Sequence, residues 1–258
     1  MQDETNKDGS NLSLPFRGTG GMKAMIFAAG LGTRFKPWTD KHPKALAVVN
    51  GKTLLQRNIE YLQQYGISEV VVNVHHFAGQ VIKVIEDNKG WGSNIIISDE
   101  TEEVLETGGG LLKAKQYLQN ETFITINVDI LTNANLADFL ATHRQEEAVI
   151  TLAVTDRKTQ RYLLFDKYNR LCGWRNTDTQ KEKISVPAVE YVEKAYSGIA
   201  IFEPSVFDAI TQTGKFSLID VFLTVATHSK IAGYNHSTSN VIDVGRTESV
   251  ALAESMFP

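Results

Sequence analysis

Cys172 is the only cysteine in 258 residues. That excludes an intramolecular disulfide framework and fits a reducing compartment. No uninterrupted apolar run reaches the roughly 20 residues that a membrane-spanning helix needs. No run of lysine and arginine is interleaved with aromatics, and the net charge of −4 gives no general attraction for polyanions. Neither a membrane nor a nucleic acid is expected as a partner. A fixed-period repeat is also lacking, so repeat architectures fall away.

What is present is an ordinary hydrophobic fraction of 42%, enough for one large α/β domain. Residues 1–21 stand apart. They are polar and charged to Asn11, then run through Leu12-Ser13-Leu14-Pro15-Phe16 into a glycine-containing tail, without the apolar core of a secretory signal. They read as a flexible leader or a remnant of cloning, ahead of a single domain over 22–258.

The most informative stretch follows. Lys23-Ala24-Met25-Ile26-Phe27-Ala28-Ala29 is an apolar strand that enters a glycine loop carrying Arg34 and, after Pro43, Lys44. Gly30 and Gly32 permit close backbone approach to an anion, and Thr33 adds a donor. Arg34 offers a fork suited to phosphate oxygens and Lys44 a mobile point charge. Two better-known phosphate loops are excluded. Ahead of Gly51-Lys52-Thr53, Leu46 stands where a Walker A loop needs glycine, so this tripeptide reads as a turn leading into a helix. Phe35 stands where a dinucleotide loop needs its third glycine, and Lys36-Pro37 cannot open a helix. The loop is expected to run irregularly to about His42.

Beyond it, periodicity predicts a helix over 54–65 stopped by Gly66, a strand over 69–74, a helix over 78–86 and a strand at Ile95-Ile96-Ile97. A helix over 109–118, a strand over 123–127 and a helix over 136–144 continue the alternation. That pattern implies parallel strands with helices on both faces, and ligands at the carboxyl ends of the strands. The second half instead predicts strands over 149–154, 162–165, 171–175 and 195–202 separated by polar turns.

Asp129 and Asp243 each end an apolar stretch, at Asn127-Val128-Asp129 and at Val241-Ile242-Asp243-Val244-Gly245. Two such aspartates suit one hard divalent cation, since magnesium binds through one or two carboxylates plus substrate phosphates. Glu106-Thr107-Gly108-Gly109-Gly110 is a second glycine cluster at a predicted helix start, whose exposed amides suit an oxyanion or a base edge. Asn73 and Glu100 are weaker candidates for base contacts, and Asn127 reads equally as a structural neighbour of the metal. Gly198 in Tyr196-Ser197-Gly198-Ile199 permits close approach or marks a bulge. His75-His76 lacks a third ligand and reads as a solvated pair, Cys172 as a core residue, and Asp220 as a helix-surface residue.

Gly30-Leu31-Gly32-Thr33-Arg34-Phe35-Lys36-Pro37-Trp38-Thr39 followed by Pro43-Lys44 resembles the signature of the sugar-1-phosphate nucleotidylyltransferases. Glu106 to Gly110 and the compact length look most like the uridylyltransferases acting on N-acetylmuramic acid 1-phosphate. The resemblance implies a Rossmann-like, GT-A-like nucleotidyltransferase fold: a mixed, mainly parallel sheet flanked by helices. It implies a nucleotide half over about 22–130 and a more α+β acceptor half over about 131–258. By similarity, Arg34 and Lys44 are catalytic. Ala28, Ala29, Gly30, Gly32, Thr33, Asn73, Thr107 and Gly108 bind the nucleotide, and Gly109, Asn127, Ser197 and Gly198 the acceptor sugar. Asp129 and Asp243 hold Mg2+. The implied partners are a nucleoside triphosphate and a sugar 1-phosphate, in the cytoplasm, for a cell-wall or polysaccharide precursor; a homo-oligomer is compatible with this. Guanosine with mannose, thymidine with glucose, a phosphocholine cytidylyltransferase using Trp174 and Tyr196, and a catalytically silent sensing subunit stay open as alternatives.

Overall fold

The computed structural model describes residues 21–258, so the leader expected over 1–21 lies, but for Gly21, outside the described residues. The first half alternates as its periodicity predicts. Strand β1 (Lys23–Phe27) is followed by the irregular loop, then by helix α1 (Leu54–Gln63), β2 (Glu69–Val74), α2 (Ala78–Asp87) and β3 (Asn94–Asp99). Next come α3 (Glu106–Lys113), α4 (Lys115–Leu118), β4 (Phe123–Asn127), β5 (Ile130–Thr132) and α5 (Leu136–Glu146). The turn lies at Asn50 and Gly51, both with positive φ, while Lys52 and Thr53 pair antiparallel with Val49 and Val48; the Thr53 side chain then caps α1 by accepting from the Gln56 amide at 3.1 Å.

The second half holds β6 (Ile150–Thr155), β7 (Arg161–Phe165), β8 (Leu171–Asn176), β9 (Lys181–Ile184) and the long β10 (Val192–Phe202). Helices α6 (Val206–Ala209) and α7 (Leu218–Ala226), strands β11 (Ile231–Asn235) and β12 (Val241–Asp243), and α8 (Ser249–Met256) complete it. Ten strands share one sheet in the order β9-β8-β7-β10-β4-β1-β2-β3, with β6 beside β10 and β11 beside β6. The neighbours β4, β1, β2 and β3 run parallel, whereas β10 runs antiparallel to β4, β6 and β7. This is the mixed sheet with helices on both faces that was expected.

Strand alternation divides the core into two layers. Ala24 and Ile26 of β1 face one, with Leu55, Ile59 and Leu62 of α1 and Phe139 of α5. Met25 and Phe27 face the other, with Leu111 of α3 and Val221, Phe222 and Val225 of α7. Within the second layer Phe123 stacks on Phe202 with ring centroids 5.1 Å apart.

Two expectations shift. The helix predicted over 109–118 starts earlier, at Glu106, and is broken at Ala114. This start puts the glycines into the first turn, packed rather than exposed. A Cβ on Gly108 would strike the Phe216 ring, and one on Gly109 the Gly214 carbonyl oxygen. Gly109→Ala should therefore destabilise the fold by about 2 kcal/mol, on the scale of an overpacked core. A thermal melt unchanged from the parent protein would show that the Gly214 turn gives way freely.

Candidate active site

The carboxyl ends of the parallel strands converge as the alternation requires. Phe27 at the end of β1 is in register with Asn73 of β2 on one side and Asn127 of β4 on the other. The Ala28 and Ala29 amides donate to Asn73 Oδ1 at 2.7 and 3.3 Å, and Asn73 Nδ2 donates to Glu100 Oε1 at 2.8 Å. Asn73 is thus a buried buttress for the loop rather than a free ligand. Glu100 is 1% exposed, its Oε2 lacks a partner among the described residues, and burial raises its carboxyl pKa against the opposing Asn73 bond.

Gly32 bends the loop with φ of 60°. A Cβ there would lie 2.8 Å from Thr39 Cγ2 and 3.2 Å from Lys44 Cβ, so glycine brings the loop down onto the lysine. Thr39 Oγ1 donates to the Gly32 carbonyl at 2.9 Å and fixes the bend. Gly30, Gly32, Thr33 and Thr107 line a cavity of about 420 Å³ whose floor includes Asn73 and Glu100, and Lys215 stands at its edge.

Lys44 Nζ is paired with Asp129 Oδ2, both side chains largely shielded from solvent. Strand β12 pairs antiparallel with β5, Asp243 lies opposite Ile130, and the Val244 amide donates to the Asp129 carbonyl at 2.8 Å. Two aspartates remote in sequence thereby meet. Burial, then the Asp129 charge, raises the Asp243 pKa, with Lys44, Arg34 and Arg157 opposing. Arg34 closes the group: a Cβ on Gly245 would lie 3.0 Å from Arg34 Nη2 and 2.6 Å from Asp243 Oδ1. The structure brings together the four charged residues singled out in the sequence.

Among the described residues no three His, Cys, Asp or Glu side chains cluster. Two convergent carboxylates are a poor set for zinc, which takes nitrogen and sulfur ligands in fours. They fit a hard ion that completes its shell with phosphate oxygens and water.

A second cavity, about 700 Å³, lies on the other side of Thr107, with Arg34 and Asp243 at its near end and Asn127, Trp174 and Tyr196 in its walls. Thr107 belongs to both cavities, and its Oγ1 accepts from the Leu218 amide at 3.0 Å.

Several expected contacts are corrected. The Gly108 and Gly109 amides are not free, because both donate to the Phe216 carbonyl, at 3.0 and 3.3 Å. Ser197 is 1% exposed and shares a 2.8 Å hydrogen bond with His236 Nε2, so it faces the core while Tyr196 faces the cavity. Gly198 has φ of 75° at a shift in strand register. A Cβ there would come within 2.9 Å of Asn127 Nδ2, so the close approach is to Asn127. His75 and His76 are not a solvated pair: their rings bond the carbonyls of Glu100 at 2.6 Å and Thr39 at 3.1 Å. Asp220 sits at the surface, 2.8 Å from Lys183 Nζ, and Cys172 is buried, as expected.

Sequence reasoning missed Arg157, Arg161 and Arg246, which line the second cavity, and Lys215 at the first. Arg246 directly follows the Asp243-Val244-Gly245 motif, a signal that was available. Arg157 and Arg161 sit in what reads as a polar turn.

His236 gives this region a pH response. It is 2% exposed, and burial, with Arg157 adding, lowers its pKa to about 4 from 6.5. The unfolded chain takes up this proton at higher pH than the folded protein, so stability is full above the unfolded value and falls as pH drops through the window. For one such histidine the loss at pH 5 is about 2 kcal/mol. Urea titrations at pH 7 and pH 5 should show that loss, and His236→Gln should flatten it; equal slopes in both proteins would exclude His236 as the source.

No helix among the described residues is long and apolar enough to cross a membrane. Among known proteins, the chain is 31% identical over 212 residues to a UTP–glucose-1-phosphate uridylyltransferase of Synechocystis, covering 76% of this chain but 53% of that one, about half its length. It is 29% identical over 229 residues to an N-acetylmuramate alpha-1-phosphate uridylyltransferase of Neisseria meningitidis, covering 87% of this chain and 93% of that one. In fold it is similar to the crystal structure of HddC from Yersinia pseudotuberculosis complexed with GMP-PN, with a TM-score of 0.74, 21% identity, and coverage of 92% of this chain and 100% of that one. Residues 23–255 match the nucleotidyl transferase family. With that match over nearly all described residues, and the signature loop seated at the strand ends against Lys44 and Asp129, the chain belongs to the nucleotidyl transferase family.

Proposed function

We propose that this enzyme transfers a nucleoside monophosphate from a nucleoside triphosphate to a sugar 1-phosphate, with UTP and N-acetylmuramic acid 1-phosphate, or a related sugar phosphate, as the favoured pair. One observation carries the reading: Arg34 and Asp243 line the larger cavity, while Lys44, paired with Asp129, lines a small one of about 150 Å³ that shares Thr107 with both larger cavities. The Neisseria relative, aligned over nearly its whole length, supports the choice of substrates.

An oxygen of the sugar phosphate attacks the α-phosphorus in line, a new P–O bond forms, and the bond to the β-phosphate bridging oxygen breaks as pyrophosphate departs with its electron pair. Arg34 neutralises the departing pyrophosphate. Lys44 stands between the α-phosphate and the attacking phosphate, screening two anions that otherwise repel. The loop from Gly30 to Thr33 follows the triphosphate, with the base toward Asn73 and Glu100 and the sugar toward Asn127 and Tyr196. Asp129 and Asp243 would hold magnesium, which when bound supplies charge neutralisation at the phosphate oxygens. The cytoplasm, where a nucleotide-sugar precursor is made, belongs to the same reading.

A phosphocholine acceptor is disfavoured by the arginines around Trp174 and Tyr196, which repel a quaternary ammonium. The test is a pyrophosphate-release matrix of the common triphosphates against sugar 1-phosphates and phosphocholine. The expected result is strongest release with UTP and N-acetylmuramic acid 1-phosphate. Release with phosphocholine alone, or with no acceptor at all, would overturn the reading.

A further inference from the structure

We infer that the second cavity holds a subsite for a negatively charged group on the acceptor other than its 1-phosphate, a carboxylate gripped by Arg161 together with Arg157 or Arg246. The inference deepens the proposed function and rests on it.

Charge is the first observation. The chain as a whole carries 30 acidic and 26 basic residues, yet the cavity gathers four arginines against the single carboxylate of Asp243. The second is how these arginines are partnered. Arg175, elsewhere on the same sheet, is held by Glu182 at 2.6 Å and Glu193 at 2.5 Å. Among the described residues Arg157 donates to the Tyr196 carbonyl at 3.1 Å and acts on Asp243 through charge alone, and neither Arg161 nor Arg246 is ion-paired to a carboxylate. Like charges placed around one cavity repel, and an anionic ligand relieves that repulsion.

Position separates Arg161 from the phosphate chemistry, whereas Arg157 and Arg246 stand between it and Asp243. Arg34 and Asp243 mark the end of the cavity next to Lys44 and Asp129. Arg161 opens β7, and Leu163, two residues on, lines the same cavity, so both lie on one face of the strand. Leu163 is in register with Trp174 and Arg161 with Asn176, which sets Arg161 about 7 Å further along the strand than the Leu163 and Trp174 wall. The cavity thus runs from a phosphate end, past an apolar wall, to a guanidinium. That sequence of surfaces suits a sugar with a carboxyl-bearing substituent, and the planar fork of arginine matches a carboxylate through two parallel hydrogen bonds.

The test compares kcat and KM for three acceptors with one triphosphate: N-acetylmuramic acid 1-phosphate, N-acetylglucosamine 1-phosphate, which lacks the carboxyl-bearing ether, and glucose 1,6-bisphosphate, in which the second anion is a phosphate. The wild-type protein should favour the carboxylate acceptor over the neutral one by at least about tenfold in kcat/KM, the scale of a charged hydrogen bond. Arg161→Ala should reduce that ratio at least about tenfold, through KM, and Arg161→Lys, which keeps the charge without the fork, should recover part of it. A wild-type ratio near one, an equal loss on both acceptors in Arg161→Ala, or a preference for the bisphosphate would each overturn the carboxylate subsite while leaving nucleotidyl transfer standing. No pyrophosphate release with any acceptor would overturn the underlying reading and this one with it.

Discussion

Lys44→Ala should lower turnover by at least about a hundredfold while the protein keeps its fold. The magnitude follows from removing a charge that acts on developing negative charge in a shielded site, roughly 3 kcal/mol or more of transition-state stabilisation. The structure adds a reason why neighbours cannot substitute. Lys44 is the cation paired with Asp129, and Gly32 has no side chain, so the signature loop packs directly against it. Removing Lys44 also leaves Asp129 beside Asp243 with one fewer compensating charge. A second variant, Lys44→Arg, separates charge from shape: it keeps the charge but brings a wider head against Asp129. Circular dichroism and steady-state pyrophosphate release check both. Near-normal turnover of well-folded Lys44→Ala protein would remove Lys44 from the mechanism.

Asp243→Asn should lower activity by a comparable factor and at the same time leave the ligand-free fold as stable as before. The two effects have one cause. The Asp243 carboxyl pKa is raised by partial burial and by the Asp129 charge, so its ionised form gains nothing from its place in the folded protein, and water at its open side limits the effect. An amide of the same shape therefore leaves the fold intact and removes one of two proposed oxygen ligands for magnesium. Urea titration measures the first effect, and the magnesium dependence of pyrophosphate release the second. A marked loss of stability, or an unchanged metal dependence, would mean that Asp243 is a structural residue.

How much of this was legible in the sequence differs from residue to residue, for physical reasons. The loop from Gly30 to Lys44 could be read because backbone freedom and cationic charge are local properties. Asp129 and Asp243 could each be suspected at a strand end, but only the pairing of β12 with β5 brings them together. Ser197, taken by resemblance as a contact to the acceptor sugar, turns to the core. Alternation along β10 is interrupted by the register shift at Gly198, and a bulge of one residue reverses which side chains face the cavity. Helix α7 was hard to see because Leu218-Ile219-Asp220-Val221-Phe222-Leu223 is apolar nearly all round, which hides the helical period. The glycines of α3 were read as a helix start offering exposed amides to a ligand, whereas much of their need for smallness comes from Phe216, Gly214 and Glu100 packed against them. Arg157 and Arg161 lie in and beside a short loop whose composition is that of any polar turn. Their common cavity exists only once β7, β8 and β10 are assembled.

At the centre of the account is a direct transfer in which Lys44 bridges two phosphates and forms no covalent nucleotidyl intermediate. Exchange of labelled pyrophosphate into the nucleoside triphosphate tests this most directly. The account predicts no exchange when enzyme, magnesium and triphosphate are incubated without sugar 1-phosphate, and rapid exchange once the acceptor is added. Exchange at a comparable rate in the absence of acceptor would reveal a nucleotidyl-enzyme and contradict the role assigned to Lys44.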